Sequence, residues 1–148
     1  MVRPIAIVRY ERLYWASFVL GAIVTAMSWS QRVAMLAAAP VLANATWLLP
    51  TIQAIGLAVT ILLWYFTARS PSVVAKWVVV VLAALAVLGV LLSLKSLFTG
   101  EAAIGTVAIV SFVGDALYVA AATQLFQPGT KAWFGELPTT DEDMSHDI

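Results

Sequence analysis

The sequence has no cysteine, a single histidine and little charge: Asp, Glu, Lys and Arg make up 11% of it, against roughly 25% in a soluble globular domain. Without cysteine there is no disulfide scaffold, thiol nucleophile or cysteine-ligated metal, and the redox compartment is left unmarked. His146 falls in the acidic C-terminal stretch, where a solvated tail residue is expected, so the folded part offers no imidazole ligand or base. No Gly-rich phosphate loop, metal-ligand cluster or basic patch for nucleic acid is present. The GxxxG pattern is missing too, as are internal repeats and the paired Gly/Pro-broken spans of inverted-repeat transporters. An enzyme is therefore not expected, and neither a cofactor nor a metal.

What fills the 148 residues is apolar: 62% are hydrophobic and the mean hydropathy is +0.95. A helix needs about 20 apolar residues to cross roughly 30 Å of hydrocarbon. Four stretches approach that length, at about residues 13–32, 50–68, 73–98 and 102–126. Their runs are continuous, as in "KWVVVVLAALAVLGVLLSL", whereas barrel strands would alternate at every second residue. The expected fold class is all-α, an integral membrane four-helix bundle. Pro50 suits a first helical turn, and Gln127, Pro128 and Gly129 form a stop. Val33 to Trp47 is apolar but short and broken by Pro40, which suggests an interfacial or partly re-entrant stretch.

Lys and Arg set the expected orientation. Arg3, Arg9, Arg12, Arg69, Lys76 and Lys131 fall on one side and only Arg32 and Lys95 on the other, so six against two places both termini in the cytoplasm. Residues 1–12 are expected to lie in the headgroup layer as a cytoplasmic interfacial segment, with Glu11 ion-paired locally between Arg9 and Arg12. Residues 13–134 form the four-span domain with its interfacial anchor, and residues 135–148 an acidic flexible tail. Arg9, Arg12, Trp15, Trp64, Trp77, Lys131 and Trp133 are the expected interfacial anchors. The partners expected are the lipid bilayer and a homo-oligomer or larger membrane complex, not nucleic acid.

Asp115 is the one ionisable residue near the centre of a span, where a charge costs about 3 kcal/mol. Helical steps of three and four link it to Gly105, Ala108, Ser111, Tyr118 and Ala122, a small and polar stripe expected to face another helix. Leu125 lies off that stripe. Thr25 on the first span and Thr60 on the second are the partners expected at similar depth. Asp115, Ser111, Tyr118, Thr25 and Thr60 thus make up the candidate intramembrane polar site, with a buried hydrogen-bonded carboxyl the leading expectation. Gln53 and Gln124 suggest interhelical or headgroup hydrogen bonds.

"RYERLYWAS" before the first span and "QPGTKAWF" after the last resemble the flanks of small four-span bacterial inner-membrane proteins of unassigned function. The resemblance covers about residues 3–134. It implies a four-span fold in a bacterial cytoplasmic membrane and carries over no catalytic residue. The expected role is a structural, accessory or interaction subunit. The alternative is a small oligomeric transporter or channel in which Asp115 binds a proton or cation, and a third possibility is a lipid or quinone held near Trp64, Tyr65 and Trp77.

Overall fold

The computed structural model describes residues 3–39, 41, 44–99 and 105–136. Among these residues every regular element is a helix: α1 Ile5–Met27, α2 Trp29–Ala38, α3 Leu48–Ala68, α4 Val73–Phe98, α5 Thr106–Gln124 and the single turn α6 Thr130–Trp133. Three of them, α3, α4 and α5, are long and apolar enough to cross a membrane, and a fourth span is made if α1 and α2 count as one bent pair. This is the architecture of a multi-pass membrane protein. The expected flexible tail from residue 137, with His146 in it, and the expected start of the fourth span at 102–104 lie outside the described residues.

The four long helices run up and down as a ring, with α1 beside α5 and α3, and α4 closing between α3 and α5. Neighbours are antiparallel, so the start of α1, the end of α3, the start of α4, the end of α5 and α6 all gather at one end, called here the terminal end. Three helices bury a line at the three-four spacing that keeps one face toward a neighbour. It is Ile7, Tyr10 and Tyr14 on α1, Lys76, Val79 and Ala83 on α4, and Gly114, Ala121 and Leu125 on α5, with the small Ala6, Ala75 and Ala122 buried beside them.

Small residues set how closely α1 and α5 approach. A Cβ on Gly114 would meet Leu20 Cβ at 3.5 Å and the Ser17 carbonyl oxygen at 3.9 Å, so a methyl group just fits and a longer side chain would push the helices apart. α1 begins at Ile5 and runs unbroken through the region expected to be a separate headgroup segment; Ile7 and Tyr10 are fully buried in the protein core.

The first helix also stops short of the expected 32. It ends at Met27, and α2 leaves it at 54°. No proline sits at the break. Instead the Ser28 hydroxyl donates back to the Val24 carbonyl at 2.7 Å and accepts from Arg32 Nε at 3.0 Å. A serine that bonds its own helix backbone bends the helix, and the arginine holds that rotamer.

Candidate functional site

At the terminal end, Glu11 on α1 ties together three parts of the chain. Its carboxylate accepts from Arg3 Nη1 at 3.2 Å, Arg69 Nη2 at 3.4 Å and Trp64 Nε1 at 3.2 Å. The expected local cluster with Arg9 and Arg12 does not form. Residues one or two apart on a helix point in different directions, whereas Arg3, which precedes the helix start at Ile5, reaches along α1 to position 11. Arg9 and Arg12 are exposed.

A second tie closes the C-terminal segment. The left-handed Gly129 (φ +90°) turns the chain into α6, and the Thr130 hydroxyl donates to the carbonyls of Leu125 and Gln127 at 2.9 and 2.8 Å. This turn carries Trp133, whose indole N–H donates to the Thr67 carbonyl at 3.2 Å, and Glu136, whose carboxylate meets Lys76 Nζ at 2.7 Å. The Lys76 side chain is only 4% exposed and lies against the rings of Phe126 and Phe134, at 5.0 and 5.1 Å to the centroids. An ammonium this deep needs both the carboxylate and the ring faces.

Of the expected anchors, Trp64 and Trp133 are therefore tied into the protein by their indole N–H groups, and Trp15 packs edge-on against Trp64 at 5.4 Å. Trp77 is exposed and meets Phe126 edge-on at 6.2 Å, and Lys131 is exposed. Between the two ties, Tyr14 donates to the Thr60 carbonyl at 2.9 Å and stacks with Tyr10 and Tyr118, at 5.3 and 5.8 Å. The hydroxyls of Tyr10 and Thr67 face each other, sealed in the core.

Beyond Tyr14 the bundle opens. α1 and α3 diverge around a lateral cavity of about 760 Å³, floored by Tyr118 and Leu82 and lined on its two sides by small residues, Gly21 and Ala22 facing Ala54 and Gly56. Toward the far end the sides meet again where Gln53 Nε2 approaches Thr25 Oγ1 at 3.5 Å, the outer limit of a hydrogen bond.

The five residues of the expected polar site are split by this geometry. Thr25, Thr60 and Tyr118 line the cavity, and Ser111 and Asp115 do not. Asp115 is half-buried and finds neither Thr25 nor Thr60; among the described residues it has no hydrogen-bond or ion-pair partner. Thr60 donates instead within its own helix, to the Gly56 carbonyl at 2.8 Å. The inner line of α5, Gly114, Tyr118, Ala121 and Leu125, shares Tyr118 with the expected stripe, and Ala122 is buried as expected. Gly105 is exposed, and Asp115 is rotated by 100° from Gly114 onto the flank.

Ser17, Gly114 and the Glu11 hub escaped the sequence reading. Glu11 does carry a signal, as the one carboxylate within an otherwise basic and aromatic lead-in, but two of its three partners are 53 and 58 residues away. No group of three or more metal-ligating side chains gathers among the described residues. No protein-family model matches the chain, and no curated protein and no solved structure matches it either.

Proposed function

We propose that this chain is a multi-pass protein of a bacterial cytoplasmic membrane, with both termini on the cytoplasmic side, that acts as a structural, accessory or interaction subunit and works by binding. One observation carries the reading. Nine consecutive residues of α3, Thr51 to Val59, are exposed on every side of the helix. Two and a half turns with no packed face are unlike a helix at home in a finished bundle, where one stripe is covered by neighbours. A second membrane chain, or another copy of this one, would cover them.

The orientation rests on charge. The terminal end carries Arg9, Arg12, Arg69 and Lys131 as exposed cations, the arrangement expected of a cytoplasmic face. Gentle extraction followed by native mass spectrometry tests the subunit reading: a complex larger than one chain is expected, and a chain that always emerges alone sinks it.

The second reading, a small oligomeric transporter with Asp115 as its proton or cation site, draws on the carboxyl's lack of a partner in its own chain. It predicts that Asp115→Asn abolishes proton-linked flux in reconstituted vesicles. Unchanged flux removes it.

A further inference from the structure

We infer that the cavity between α1 and α3 is a binding site for a neutral, lipid-soluble molecule with carbonyl-type acceptor oxygens, taken up sideways from the bilayer. Well-packed interiors leave few voids larger than a water molecule. About 760 Å³ in so small a bundle is the size of a small-molecule site, typically roughly 300–1,000 Å³.

The lining fixes the ligand's chemistry. It contains no charged side chain, so a phosphate, carboxylate or ammonium would enter without a counter-ion. Its walls are apolar, but Ser17 and Tyr118 bring hydroxyls from two helices that meet at Gly114. Among the described residues neither hydroxyl has a hydrogen-bond partner, and neither is sealed off as the hydroxyls of Tyr10 and Thr67 are. Two open donors at the floor of an apolar cavity suit an acceptor oxygen at the head of an apolar body.

The walls leave room for that body. A Cβ added at Gly21 or Gly56, which face each other across the opening, would meet nothing within 4 Å. Two membrane constituents share the required chemistry, a quinone with ring carbonyls and a neutral glycerolipid with ester carbonyls.

The site shares its α3 wall with the exposed stretch used for the subunit reading, but its polar floor lies on α1 and α5, so the variants that test it are placed there. The full chain in detergent, in whatever assembly it forms, is titrated with decyl-ubiquinone and separately with dioctanoylglycerol while its melting temperature is followed. One of the two is expected to raise it saturably, and which one identifies the source. The double variant Ser17→Ala with Tyr118→Phe should bind that probe at least about tenfold more weakly, two lost hydrogen bonds being worth about that factor. Gly21→Leu on α1, which fills the opening without touching the floor or the exposed half of α3, should abolish the saturable rise while leaving the ligand-free melting temperature and the native mass unchanged. If neither probe stabilises the wild-type chain, or if the Gly21→Leu chain binds as well as wild type, the site is not what we infer.

Discussion

At the end of the bundle that holds Tyr10, Thr67, Lys76 and Leu125, side chains from all four long helices interlock; toward Met27 and Leu48 the same helices stand apart around a cavity. Both halves are built from apolar helix, so hydrophobicity does not separate them. Cross-helix polar bonds do. Glu11, Lys76, Trp133 and Tyr14 each join elements far apart in sequence, and all four act at the terminal end. At the other end the gap between α1 and α3 is bridged by the long contact from Gln53 to Thr25. In apolar surroundings, where burial gives helices little reason to associate, such bonds and close packing of small residues hold helices together.

Substitutions that move a tie test this contrast most strongly. Glu136→Ala strands the Lys76 ammonium, which is 4% exposed, and should cost about 3 kcal/mol in a reversible unfolding titration in mixed micelles. Glu136→Gln, which keeps a hydrogen-bond acceptor, should cost less. A loss below about 0.5 kcal/mol for Glu136→Ala would mean that the C-terminal turn is not part of the locked end.

Tyr14→Phe removes one bond to the Thr60 carbonyl while keeping the ring stack, and about 1 kcal/mol is expected by the same titration. Smaller still in free energy, but visible in shape, is Ser28→Ala. Without the hydroxyl's bonds to Val24 and Arg32, the 54° bend between α1 and α2 should relax. The absence of native cysteine makes the measurement direct, because spin labels at Ala16→Cys and Met35→Cys would be the chain's only ones. Their separation should lengthen in the variant, and an unchanged distance would remove Ser28 as the cause of the bend.

The least effect on the isolated chain is expected at the open end. Ile55, 59% exposed on α3, should tolerate Ala with a change within about 0.5 kcal/mol. Its assembly into a larger complex, read by native mass spectrometry, should nonetheless weaken. A large loss of stability in the isolated monomer would show that the two halves differ less than their packing implies.

The sequence made the helical class and the apolar segments legible, because a long run of Val, Leu and Ala states its preference residue by residue. Asp115 was legible as an oddity but not as a position. Gly114 and Asp115 lie one residue apart beside equally small neighbours, and hydropathy alone does not say which of two lines 100° apart turns inward. The bulk of Tyr14 and the close approach of Ser17 to Gly114 settle that rotation. Glu11 misled for a related reason: its charged neighbours in sequence are not its neighbours on the helix.

Composition and run length, then, determined by themselves that this chain is a set of apolar helices with charge, Asp115 apart, kept toward their ends, since the transfer of a side chain between solvents depends on that side chain alone. Tertiary structure decided which helices touch, that Lys76 and Glu11 are ties and not merely surface charges, that Asp115 stands on a flank without a partner, and that α1 and α3 part around a cavity. Each of those outcomes depends on the rotation and register of two helices at once, and no single stretch of sequence encodes them.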